Sequence, residues 1–150
     1  MPQNLFPVFD IPDALAETEP QTQRYRPAPL WDIESGDFVF NGSRQALYGT
    51  GYDAWVLWCI KTIHTQRWAH LGYSGNSGVE TEQAFDEPDR QAQESAFERT
   101  ISEALLADPM GRTRQVRDFD FKWYADSLTV SCDVVGHDGN SAAISTSINR

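Results

Sequence analysis

"DFDFKWYADSLTVSCDVV", Asp118 to Val135, alternates apolar and polar residues on both sides of a short break. Phe119, Phe121 and Trp123 share one parity, with Asp118, Asp120 and Lys122 on the other. Beyond Ala125-Asp126-Ser127, the residues Leu128, Val130, Cys132 and Val134 resume the pattern. Strand side chains point to opposite faces in turn, so a period of two predicts a β-hairpin with one dry and one wet face. A second turn signal, His137-Asp138-Gly139-Asn140, follows. After it, Ala142, Ile144, Thr146 and Ile148 form either a third strand or an end that pairs elsewhere.

A dry sheet face needs a cover, and the upstream sequence offers two helices. "AWVLWCIKTIHTQRW" (54–68) is apolar almost all round between Ala54 and Ile60, with Asp53 placed to cap its start. Such a helix is central, because only burial on more than one face tolerates Trp55, Leu57, Trp58 and Ile60 together. Phe97, Ile101, Ala104 and Leu105 recur at helical spacing and predict a second helix from near Gln91 to Ala107. Pro88 precedes it and Asp108-Pro109 stops it, while Glu94, Glu98 and Glu103 read as a solvated face. "WDIESGDFVFNG" (31–42) has the pattern of a short hairpin. The expected class is α+β, two helices packed on an antiparallel sheet in a single domain over residues 31–150.

Residues 1–30 differ in texture. Six of the eight prolines lie there, among Asp, Glu, Gln and Thr, which resists helix and sheet and predicts an extended arm. Its apolar islands, Leu5-Phe6-Pro7-Val8-Phe9 and Ala14-Leu15-Ala16, suit contact along a partner; a loose terminus is the alternative.

A length of 150 residues accommodates one domain, and 40% hydrophobic residues with 12% aromatics suit a packed core. A formal charge of −10 argues against a nucleic-acid surface, which needs clustered Lys and Arg. No apolar run approaches the roughly 18 residues of a membrane span. The start Met1-Pro2-Gln3 lacks the features of a signal peptide and predicts a chain made in the cytosol. Cys59 and Cys132 lie in apolar patterns and read as buried thiols.

"HTQRWAHLGYSGNSGVE", His64 to Glu80, invites a chemical reading, with two histidines, an arginine, two aromatics and three glycines. A Cys59–His64 nucleophile pair is five residues apart on one helix and shares no face. His64, His70 and Cys59 lack the spacing of helical metal ligands. Glu80, Glu82, Asp86 and Glu87 offer carboxylates for glycoside hydrolysis, which requires a pair about 5 to 10 Å apart. Phosphate-binding, nucleophile-elbow and zinc-protease motifs are absent, and no cofactor or metal is implied. Asn41-Gly42-Ser43 matches a glycosylation acceptor that means little without secretion. The stretch reads best as a structural corner, with Thr65 and Arg67 finishing the helix, Trp68 and Tyr73 packing, and Gly72, Gly75 and Gly78 permitting the turns.

The order of elements, from Pro-rich arm through hairpin, helix, glycine loop and second helix to hairpin, resembles a family of small baseplate proteins of contractile phage tails. In particular it looks like the branch found in myophages and defective prophages of Gram-positive bacteria, related to the lysozyme-like baseplate wedge protein that acts as sheath initiator in T-even phages. The resemblance covers about residues 28–136. The family's helix-closing Thr, Arg and aromatic correspond to Thr65, Arg67 and Trp68, and its aromatic, Gly and acid to Tyr73, Gly78 and Glu80. Its acid–Pro–Arg corner and following Val correspond to Asp108, Pro109, Arg112 and Val116, with Met110 and Gly111 inserted, which leaves Arg112 and Arg114 as candidates for the arginine.

The resemblance implies the baseplate wedge fold and an architectural, non-enzymatic role. The implied partners are tail sheath, hub and wedge proteins, in a symmetric assembly of several copies, built in the host cytoplasm and carried in the virion baseplate. No nucleic acid or membrane partner is implied. The mechanism expected is strand addition to an open sheet edge. The rivals are a cell-wall glycosidase with Glu80 or Glu82 as acid, and a cytosolic module whose arm and acidic surface engage a basic partner.

Overall fold

The computed structural model describes residues 25–32 and 35–150. Two short antiparallel pairs come first: β1 (Ala28–Pro29) with β4 (Tyr48–Gly49), and β2 (Trp31–Asp32) with β3 (Asp37–Phe38). The second pair is the hairpin expected from Trp31 onward. Helix α1 (Gly51–His64) follows, then the short α2 (Thr81–Phe85), α3 (Arg90–Leu106), and an antiparallel sheet in the order β5 (Thr113–Trp123), β6 (Ser127–Gly136), β7 (Ser141–Asn149). The class is α+β as expected, with one open alternative resolved and one correction. The segment after His137-Asp138-Gly139-Asn140 is a third strand on β6, and the helices number three among the described residues, not two.

Each helix end has a local cause. Thr50, rather than Asp53, is the N-cap of α1: its hydroxyl accepts from Asp53 N–H while the Asp53 carboxylate accepts from Thr50 N–H, a reciprocal capping box. The helix stops at His64 with Thr65 as its C-cap, as expected: Thr65 N–H donates to the Thr62 carbonyl and its hydroxyl to the Lys61 carbonyl at 2.8 Å, while Arg67 and Trp68 lie beyond the last turn. Asp89 caps α3 by accepting from Ala92 N–H at 2.9 Å. Helix α2 was hidden in the acidic passage; its Ala84 and Phe85 are buried, and Phe85 meets Phe97 edge to face at 4.9 Å.

The core lies between α1, α3 and the dry sheet face: Trp55, Cys59 and Ile63 from α1, Phe97, Ile101 and Leu105 from α3, and the even-numbered Leu128 to Val134 of β6. Trp55 is fully buried, and its indole N–H donates to Thr113 Oγ1 at 3.0 Å. Cys59 and Cys132 are free and buried; loss of hydration lifts their thiols to about 12 and about 11.

Strand β5 keeps its apolar residues inward only because its register slips twice, between Thr113 and Gln115 and between Arg117 and Asp120. Asp118 sits at φ +56° in the second bulge. The extra residue rephases the strand, so that Val116 and Phe119, three apart, both pack against the core.

The arm assigned to residues 1–30 falls largely outside the described residues. Its end does not: Tyr25 packs edge to face on Trp55 at 6.0 Å and donates to the Arg112 carbonyl at 3.1 Å. Among the described residues, no helix is long and apolar enough to cross a membrane.

Candidate functional site

Two corners gather the residues singled out in the sequence. The first is the loop from Thr65 to Glu80, whose ends are tied side by side: Arg67 N–H donates to the Val79 carbonyl at 3.0 Å, and Val79 N–H to the Thr65 carbonyl at 2.8 Å. Arg67 reaches not the carbonyls of α1 but across the loop, with Nε on the Gly78 carbonyl at 3.0 Å and a terminal nitrogen on Glu80 Oε1 at 2.8 Å. Glu103 of α3 adds a weaker contact at 3.5 Å. Gly78 holds φ +90°, and a Cβ there would strike the Thr65 carbonyl oxygen, so this corner requires glycine. Gly72 and Gly75 adopt no such conformation. Loops of this length with joined ends form compact, pre-shaped surface features.

The tip of this loop corrects the expectation that Trp68 and Tyr73 pack inward. They are 63% and 60% exposed, and Leu71 between them is fully exposed. Trp68 holds φ +63°, a conformation costing an L-residue roughly 1–2 kcal/mol. No aspartate or glutamate occurs from Thr65 to Val79, in a chain carrying −10 overall.

The second corner follows α3. Arg112 meets Asp108 in a bidentate pair, Nε to Oδ2 at 2.8 Å and the outer nitrogen to Oδ1 at 3.0 Å. Asp108 also accepts the backbone N–H groups of Met110 and Arg112. Both residues are buried, and the guanidinium lies over the Trp58 ring at 5.3 Å. Met110 and Gly111 are absorbed by a turn: Gly111, at φ +62°, donates to the Asp108 carbonyl. Arg112 occupies this corner, while Arg114 points to solvent from β5. Thr65, Tyr73, Gly78 and Pro109 come together on the wall of one cleft of 280 Å³, with Trp58 and Lys61.

The two sheet edges differ in hydrogen-bond phase, charge and regularity. Gly136 N–H donates to the Asn140 carbonyl at 2.8 Å, and Arg150 N–H to the Asp126 carbonyl at 3.2 Å. With hydrogen-bonded rungs alternating between them, the odd-numbered residues of β7 turn their N–H and C=O groups away from β6. Tyr52 hydroxyl already donates to the first of these, the Ser141 carbonyl, at 2.9 Å. From Ser141 to Asn149 the strand has no charge, proline or bulge. Strand β5 is the opposite, bulged twice and carrying Arg114, Arg117, Asp118, Asp120 and Lys122, features that keep an edge from pairing. Alongside β7, a 450 Å³ groove is lined by Trp31, Tyr52, Val56, Leu57, Ile60 and Ala143.

The carboxylates weighed for hydrolysis divide between two places. Glu80 is held by Arg67, whereas Glu82 and Asp86 line a separate 570 Å³ cavity with His64 and Arg150. Among the described residues, no three His, Cys, Asp or Glu side chains are grouped to hold a metal ion.

Among the described residues, no strand pairs with the outer edge of β7, and hydrogen bonds and ion pairs staple both corners. The sequence pattern of the contractile injection system sheath initiators matches residues 29–139, and the chain belongs to that family. No curated protein matches it. Membership makes it a structural component of a contractile tail and baseplate, working with sheath and baseplate proteins.

Proposed function

We propose that the chain joins hub and wedge proteins of the baseplate and starts the sheath by accepting a strand on the outer edge of β7. The supporting observation is the contrast between the two edges: β7 is uncharged and unbulged, with outward peptide groups at Ala143, Ser145 and Ser147, whereas β5 is charged and twice bulged. A partner strand gains its hydrogen bonds from those groups and seats alternate apolar side chains on Val56, Leu57 and Ile60 of α1. The corners built by Thr65, Arg67, Gly78 and Glu80 and by Asp108, Pro109 and Arg112 brace this platform. Trp68 and Leu71, with Tyr73 behind them, face the wedge subunits. Several copies around the tail axis present this edge to the first sheath ring, assembled in the host cytoplasm.

The test is Ser147→Pro. Residue 147 directs its N–H outward, so proline removes an edge donor without removing a rung to β6. Sheath nucleation on purified baseplates is expected to fall at least tenfold while the circular dichroism melt stays within a few degrees. Undiminished nucleation by a folded variant overturns the edge assignment.

A further inference from the structure

A strand added to β7 has to be held in one register. Ala142, Ile144 and Ile148 of β7 are buried, while Ala143, Ser145 and Ser147 are exposed. Directly opposite residues on neighbouring strands share a face, so the added strand places apolar side chains opposite the first set and small or polar ones opposite the second. A slip by one residue turns every side chain to the wrong face, but a slip by two preserves the pattern. Alternation alone therefore leaves the register open.

Helix α1 runs beside β7 in the same direction. Near its start the Tyr52 hydroxyl donates to the Ser141 carbonyl at 2.9 Å, and in its last turn His64 Nε2 bonds Thr146 Oγ1. Tyr52 to His64 and Ser141 to Thr146 each cover about 17–18 Å, so helix and strand keep in step. Tyr52, Val56 and Ile60 line the groove alongside the edge at i, i+4 spacing. The two ties differ in kind. His64 holds a side chain and leaves the edge peptide groups open, whereas Tyr52 occupies a backbone acceptor of the edge itself.

We propose that Tyr52 sets the register of the added strand. Its hydroxyl fills the acceptor that the next outward pair would need, and its ring stands at that end of the groove. Pairing then begins at Ala143, and a strand shifted two residues toward Ser141 loses its terminal pair. The ring is held in place edge to face on the fully buried Trp55, at 5.9 Å. This inference rests on the strand-addition reading of β7 and names the residue that fixes its specificity.

The test is hydrogen exchange resolved to single amides by electron-transfer fragmentation, on the full chain free and within sheathed particles. In the natural protein Ala143, Ser145 and Ser147 are expected to exchange at least tenfold slower in the particle, with Ser141 within twofold of its free-chain rate. Tyr52→Phe keeps the ring on Trp55 and frees the Ser141 carbonyl, while Tyr52→Ala also clears the end of the groove. In the particle, Ser141 should gain at least threefold protection with Tyr52→Phe and at least tenfold with Tyr52→Ala. A purely structural tie would instead speed exchange in the free chain and leave the boundary of protection at Ala143. Protection of Ser141 in the natural protein, or a boundary that neither variant moves, overturns the register role and leaves strand addition standing. No protection of Ala143, Ser145 or Ser147 overturns strand addition, and this inference with it.

Discussion

Replacing Arg112 with Met keeps the length of the side chain and removes its charge. Asp108 then stays buried, with no exposed side-chain surface, and loses two charge-assisted hydrogen bonds at 2.8 and 3.0 Å, retaining only backbone donors. The contact over Trp58 at 5.3 Å also loses its cation. Solvent screening is slight at such burial, and stripping one partner from a buried pair costs about 3–5 kcal/mol. Set against a total stability of about 5–15 kcal/mol, that is a large fraction. At about 2–4 °C per kcal/mol for a domain of this size, the midpoint of thermal unfolding should fall by roughly 6–20 °C. Urea unfolding followed by tryptophan fluorescence gives the free energy directly. The double variant Asp108→Asn, Arg112→Met should recover part of the loss, because no charge is then left unpaired. A loss under about 1 kcal/mol for Arg112→Met, or strict additivity in the double variant, would refute the reasoning.

Gly78→Ala should destabilise by more than about 2 kcal/mol, since it combines positive φ with a backbone clash, whereas Gly72→Ala, where a Cβ meets nothing within 4 Å, should stay within about 0.5 kcal/mol; urea titration separates them. The Asp53 carboxyl is held below its usual range by hydrogen bonds from the Thr50 hydroxyl and backbone. A lowered folded-state value contributes stability above the unfolded carboxylate range, and that contribution disappears as pH falls through the lowered value. Thr50→Val should therefore flatten the acid limb of stability measured from pH 5 down to pH 2.

The β5–β6 hairpin was legible because Leu128 to Val134 keep strict alternation beside a single dry face; Ala142 to Ile148 alternate too, but alternation alone does not say which strand they pair with. The bulge at Asp118 was not: a one-residue insertion leaves no mark except that Val116 and Phe119 have opposite parity, and that was the available signal. Helix α2 has five residues, too few for a 3.6-residue period to declare itself. Thr50 and Asp53 form the two ends of a capping box, so reading Asp53 alone found one of its two acceptors and missed the N-cap itself. Trp68 and Tyr73 misled because hydrophobicity predicts burial only when a chain folds back over the residue, and this loop is stapled at its base. The Asp108–Arg112 spacing was visible, but its bidentate geometry depends on the turn made by Met110 and Gly111. Which residues of β7 turn their peptide groups outward follows from hydrogen-bond phase, set by the 136–140 turn and invisible in composition.

The most direct measurement is hydrogen–deuterium exchange, read by mass spectrometry, on the free chain and on the chain within sheathed particles. The account predicts that the peptide spanning residues 141–149 exchanges rapidly when free and becomes at least tenfold slower in the particle, while residues 113–123 change little. Protection of 113–123 with 141–149 unchanged, or no protection of either strand, would contradict it.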